Sequence, residues 1–146
     1  MLDVTYEAVD DLAPGRLADI DEERGRVRVR LDRTASLVDV VRELNIELDR
    51  LMRSAHWFQL WGDEIVSRDT PGRPLRVQYL LERKIPFGSW MEERKGLVSV
   101  YVDPALDTAG FAASINPALR GFLDGGCWFQ LYAGEIIDNS PESNKV

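Results

Sequence analysis

Two tryptophan–glutamine motifs and a run of arginines carry the chemistry this chain offers. HWFQLWGDEIVS, starting at His56, and CWFQLYAGEIID, starting at Cys127, place Trp57, Gln59 and Trp61, then Trp128, Gln130 and Tyr132, at every second position. Period two is the spacing of a β-strand, so each trio shares one side of its strand. RVRVRLD does the same for Arg26, Arg28 and Arg30, and LVSVYVD for Ser99 and Tyr101. With each alternating strand beside its motif strand, guanidinium groups stack on indoles with a primary amide between them. Such a surface recognises something flat or anionic. The same residue types are enriched in protein interfaces. Arginine stems also cover aromatic rings where nothing binds. The readings are therefore a small-molecule cleft, a protein interface and plain packing.

His56 and Cys127 are the only residues of their types and occupy equivalent places in the two motifs. A twofold axis near those strand starts would bring them together as a thiol–imidazole pair, although a lone cysteine is more often a small buried hydrophobe. Glu64 and Glu135 also recur, as do Asp32 and Asp103. Paired carboxylates serve as acid and base when their environments differ. The glutamates could equally set the charge preference of a cleft. The aspartates suit strand ends and the turns that follow, and the Glu-Glu-Arg stretches read as solvated loop charges. No glycine-rich phosphate loop, Ser-His-Asp set or zinc spacing is present in the sequence. A non-enzymatic binding module is expected, with no metal and no cofactor. An enzyme would have to work through Cys127 or the Glu64 and Glu135 carboxylates.

The elements that position these residues are written twice. At a fixed shift of 71, twelve identities fall within the 43 positions from 25 to 67, among them Gly25/Gly96, Asn45/Asn116 and Trp57/Trp128. Each copy reads as an early strand, a loop, an alternating strand, a helix and the motif strand. The first helix carries Leu37, Val40, Val41, Leu44, Leu48, Leu51 and Met52 at helical spacing, with Ser36 and Asp39 as its start signal. The second repeats the stripe from Phe111 to Leu123; Asn116-Pro117 predicts a kink or restart in it, and Gly125-Gly126 a stop. A bulge is expected after Gly62 and Gly134. The loop KIPFGSWMEERKG carries Phe87, Trp90 and Met91, as a lid, a docking tip or a tuck onto the core.

The expected fold is α+β: an internal duplication of a ββαβ unit with pseudo-twofold symmetry. Its helices pack on one face of an antiparallel or mixed sheet, against the valine and Phe-Leu side. Residues 1–138 form one domain of two repeats, 2–67 and 73–138, followed by a polar tail from 139 to 146. A single ββαβ unit is too small to cover its own sheet, and duplication supplies the cover. Read from residue 25, the order strand–helix–strand–strand resembles the duplicated effector-binding domains of multidrug-responsive regulators. That resemblance of element order implies a small molecule held between the two units. The twelve residues of interest for a ligand or partner are Arg26, Arg28, Arg30, Trp57, Gln59, Trp61, Glu64, Tyr101, Trp128, Gln130, Tyr132 and Glu135.

The totals narrow the partners. A net charge of −7 in 146 residues argues against a nucleic-acid backbone or an anionic membrane. The sequence has no apolar run of the roughly 18–20 residues a membrane span needs, and its first residues lack a signal-peptide pattern. Cys127 alone makes no intrachain disulfide, which suits a reducing cytoplasm. Fifteen arginines against three lysines fit a bacterial chain of high GC content. The partner expected is a small molecule or another protein, a second copy of this chain included.

Overall fold

The period-two runs form strands, and the runs between them form more strands than the pattern suggests. The computed structural model describes residues 2–61, 64–65, 76–82, 89–94 and 96–139, and only the backbone of Trp61, Glu64 and Ile65. Strands β1 (Asp3–Val9), β2 (Ala18–Glu23) and β3 (Arg26–Asp32) make a mixed sheet in the order β1-β3-β2, with β1 parallel and β2 antiparallel to β3. Helix α1 (Leu37–Ser54) follows, then β4 (His56–Trp61) and β5 (Glu64–Ile65). The second half runs β6 (Arg76–Leu81), β7 (Ser89–Arg94), β8 (Leu97–Val102), α2 (Thr108–Asp124), β9 (Cys127–Tyr132) and β10 (Glu135–Asp138). It makes the sheet β6-β8-β7 with the same parallel and antiparallel pairings. The closing strands of both halves join in one antiparallel sheet, β10-β9-β4-β5.

The fold is thus α+β, with two helices and three small sheets, mixed and antiparallel, among the described residues. The expected ββαβ unit is not what forms. Each half is β-β-β-α-β-β, because the segments read as loops hold β2 and β7. Their charges hid them: ADIDEE and SWMEER are edge strands, and edges tolerate carboxylates and arginines that central strands do not. The Glu-Glu-Arg charges are not merely solvated. Gly25 N–H donates to Glu22 at 3.1 Å and Gly96 N–H to Glu93 at 2.9 Å, closing two turns at glycines with φ of 86° and 83°. In place of a bulge, Ala133 and Gly134, both at positive φ (52° and 82°), make a two-residue hairpin loop into β10. The matching Gly62 lies outside the described residues, as do Phe87 and residues 140–146.

Helix signals hold with one exception. Ser36 caps α1 by accepting from Asp39 N–H at 3.3 Å, and Asp107 caps α2 by accepting from Gly110 N–H at 2.6 Å. Gly125 is the C-cap of α2. Asp32 and Asp103 accept from the backbone N–H two residues on, each at 2.9 Å, which ends β3 and β8 and starts the turn toward a helix. Pro117, however, does not interrupt α2, which runs unbroken through it. The lost backbone bond, worth ~3 kcal/mol in an isolated helix, is outweighed by burial of Phe111, Ile115 and Leu119 on either side.

Neither helix lies on the Phe-Leu side of the motif strands. Helix α1 packs against β2 of its own half and β6 of the other; α2 packs against β7 of its own half and β1 of the other. Asn116 and Asn45 fix this exchange. The Asn116 amide accepts from Tyr6 N–H (2.8 Å) and donates to Tyr6 C=O (2.9 Å); Asn45 does the same for Tyr79 (2.7 and 3.1 Å). Each amide stands in for a neighbouring strand on an otherwise open edge. Between them Tyr6, Tyr79 and Phe111 meet edge-on, with centroids 5.9–6.3 Å apart. One continuous core draws on both halves.

Candidate functional site

The motif strands meet at their midpoints. In the β4–β9 ladder Phe58 lies opposite Phe129, its own equivalent at the shift of 71. A local twofold axis therefore passes between the two phenylalanines. Directly paired residues point to one side of an antiparallel ladder, which sorts the motif into two faces. Trp57 with Gln130, and Gln59 with Trp128, form one; all four are buried, at 1–3% exposure. His56, Phe58, Leu60, Cys127, Phe129 and Leu131 form the other and are half-buried.

That reverses the expected orientation. The Trp-Gln side faces the core, and the Phe-Leu side faces away from both helices. Alternation could not decide it, because both sides of the strand are apolar enough to bury. The β10 strand extends the outer face: Ile136 pairs with Leu131 and is 70% exposed, and Asp138 pairs with Phe129. No helix packs on this side among the described residues.

The three arginines do not join the tryptophans, since β3 and β4 belong to different sheets. They lie on the outer side of β1-β3-β2. Arg28 Nη2 donates to Glu7 at 2.6 Å and Arg30 Nη2 to Asp19 at 2.7 Å, while Arg26 is exposed. Such pairs near water contribute about 0–1 kcal/mol each. Tyr101 is on the outer side of β8, half-buried between Leu80 and Trp90. Tyr132 is 46% exposed and pairs with Glu135, also exposed. Trp61 pairs with Glu64 through the backbone, and their side chains lie outside the described residues. Of the twelve residues singled out, four come together: Trp57, Gln59, Trp128 and Gln130, inside the molecule.

His56 and Cys127 are driven apart by the same register. His56 is opposite Leu131 and Cys127 opposite Leu60, so they sit four ladder positions from each other. At ~3.4 Å per position that is roughly 13 Å, too far for a thiol–imidazole pair.

Buried polar groups collect around the inner face. The Trp57 and Trp128 indole Nε1, the Gln130 Oε1 and the Asn139 Nδ2 are enclosed and have no hydrogen-bond partner. Gln130 Nε2 donates to Glu22 at 3.0 Å. Asn139, the first residue of the expected polar tail, is 4% exposed; its C=O accepts from Leu2 N–H and its N–H donates to Trp128 C=O. Burial pushes the Tyr6 phenol well above its ordinary pKa. Hydrogen bonds from Thr34 hold the Asp32 carboxyl below its own. Sequence reasoning missed Asn45, Asn116, Glu22 and Asn139. The two asparagines were visible as an identity at the shift of 71, but an amide that latches a distant strand has no local pattern.

No family model, curated protein or solved structure matches this chain. Among the described residues no helix is long and apolar enough to cross a membrane, and no group of three or more His, Cys, Asp or Glu could hold a metal ion.

Proposed function

We propose that this chain is a non-enzymatic interaction module that assembles with a second copy of itself through the outer side of β9 and β4. The observation that carries the reading is the paired Phe58 and Phe129 on a half-buried apolar face, flanked by Leu60, Leu131 and the exposed Ile136. An apolar patch of this kind, set in a polar surface, marks a contact site. The patch repeats itself about its own centre, and a self-complementary patch is what an isologous contact between identical chains requires. It also carries little of the net charge of −7; Asp138 is the one carboxylate among the described residues of that face. Two acidic copies can therefore approach there with the least repulsion.

In this reading residues 2–67 and 73–138 are two copies of one unit within one domain, and the duplication is what creates the symmetric patch. Cys127 lies on that face, which suits a reducing compartment such as the cytoplasm.

Size sets the strength. Strands β10, β9 and β4 span on the order of 300 Å² of sheet, well under the ~800 Å² per partner of a standard interface. The dimer should dissociate on dilution, in the micromolar range. Sedimentation velocity from about 1 to about 100 μM checks this. The sedimentation coefficient of the native chain should rise across that range. Phe58→Glu with Phe129→Glu should stay monomeric, because each buried carboxylate appears twice in a symmetric contact. A native chain that remains monomeric throughout, or a double variant that assembles equally well, ends the proposal.

A further inference from the structure

The seam between α1 and the outer edge of β6 holds a cleft of about 670 Å³. Asn45, Asp49, Met52 and Arg53 form its helix wall; residues 76–80 and Leu97 form its sheet wall. The volume falls within the ~300–1,000 Å³ of small-molecule sites. The Asn45 amide, bonded to Tyr79 N–H and C=O, marks one end. From that latch Arg53 lies two helical turns along, about 12 Å, and Arg76 three strand residues along, about 10 Å. The two arginines therefore stand at the same end. Arg53 Nε donates to Asp49 at 3.0 Å and its side chain is 77% exposed. Arg76 is exposed and has no salt bridge among the described residues.

Two guanidinium groups against one carboxylate leave that end with a single positive charge, in a chain of net charge −7. The matching seam between α2 and β1 has the opposite sign. At the shift of 71, Asp49 and Arg53 become Arg120 and Asp124, and Asp3 takes the register place of Arg76. Arg120 reaches Asp3 at 3.6 Å and bridges that seam. Strand β6 adds a donor and an acceptor. Arg76 N–H and Glu82 N–H donate to Gly96 and Val102 C=O on the β8 side, whereas Tyr79 turns its N–H and C=O to Asn45. Strand alternation turns Val77 the same way as Tyr79, toward the cleft it lines. Neither its N–H nor its C=O has a partner among the described residues.

We infer that this cleft binds a small organic monoanion of the N-acylated amino-acid type. Its carboxylate accepts from Arg76, Arg53 and the Val77 N–H. Its amide N–H donates to Val77 C=O, and its apolar group lies toward Leu80, beside the latch. A phosphate monoester fits less well, because its charge of roughly −2 meets Asp49 where only one positive charge is left over. A neutral apolar compound leaves the arginines and the Val77 backbone unmatched.

Two-dimensional ¹H–¹⁵N spectra follow the Val77 amide during titration with N-acetylphenylalanine. Its signal should move and saturate, with a dissociation constant near millimolar, as expected of an exposed site. N-acetylphenylalanine amide, the same body without the charge, should bind at least about tenfold more weakly. Arg76→Gln, at an exposed position that leaves the fold intact, should weaken binding of the acid at least about fivefold. The inference is overturned by a Val77 signal that does not saturate, by equal affinity for acid and amide, or by native affinity in Arg76→Gln. The cleft shares no residue with the outer side of β4 and β9, so its failure would leave the proposed assembly standing.

Discussion

On the sheet β1-β3-β2, Arg30 lies between Glu7 and Asp19; at the matching places of β6-β8-β7, Tyr101 lies between Leu80 and Trp90. Two residues nearer the start of each central strand, Arg28 is salt-bridged to Glu7, whereas Ser99 takes a hydrogen bond from Gln78. The inner sides of the same two sheets hardly differ. Val27, Val29 and Leu31 answer to Val98, Val100 and Val102, with Tyr6 and Tyr79 beside the middle valine of each trio. The groups that satisfy backbone are kept as well: Glu22 and Glu93 at the glycine turns, Asp32 and Asp103 at the strand ends, Asn116 and Asn45 on the open edges. What the two sheets share is what the interior enforces. A side chain facing water can change from an ion pair to an aromatic at a cost near zero, whereas a half-buried amide with two backbone partners cannot.

That contrast can be broken most directly at the edge latches. Asn116→Ala and Asn45→Ala each strip a buried strand residue, Tyr6 or Tyr79, of one donor and one acceptor partner. Each should cost about 2–3 kcal/mol, lowering Tm by roughly 5–10 °C for a chain of this size. Paired thermal melts of the two variants check it. Equal losses mean that the two halves use the latch alike; a loss in only one would end the comparison.

The tyrosines sharpen it. With the Tyr6 phenol held protonated in the fold while the unfolded chain ionises near pH 10, the unfolded state binds fewer protons above that pH, so stability falls as pH rises. The loss approaches ~1.4 kcal/mol per pH unit until the raised pKa is reached. Urea melts between pH 8 and 11 should show that slope in the native chain and a shallower one in Tyr6→Phe. An unchanged slope would mean that Tyr6 is not the group responsible.

Smallest of all should be the exchange of outer faces. Carrying the second sheet's residues into the first, by Glu7→Leu, Asp19→Trp and Arg30→Tyr, replaces two short surface ion pairs, Arg28–Glu7 and Arg30–Asp19, with a leucine and two aromatics. Stability should stay within about 1 kcal/mol in chemical denaturation. A much larger loss would show that the outer face of β1-β3-β2 carries more than solvated charge.

Legibility followed the same division between inside and outside. Val27, Val29 and Leu31, and the α1 stripe from Leu37 to Met52, could be read directly, because apolar residues at a fixed period declare both the element and its buried side. The strands β2 and β7 could not. Their partners are Arg26–Asp32 and Leu97–Val102, and an edge strand with one wet side carries the composition of a loop. Among the candidate residues, Trp57, Gln59, Trp128 and Gln130 were rightly grouped and placed on the wrong side of their sheet. The arginines were grouped with them only through a strand adjacency that the fold does not make.

From the sequence alone came the elements of period two and period 3.6, the helix caps at Ser36 and Gly125, the turns at Asp32 and Asp103, and the near-identity of the two motifs. These are local, set by a residue and its neighbours within about four positions. Only the tertiary structure decided which side of β4 and β9 is inside, that Phe58 meets Phe129 on a twofold axis, that His56 and Cys127 stand apart, and that each helix seals the other half's sheet. These depend on long-range register. A strand apolar on both sides has two burial choices of similar energy, and only its packing partners choose between them.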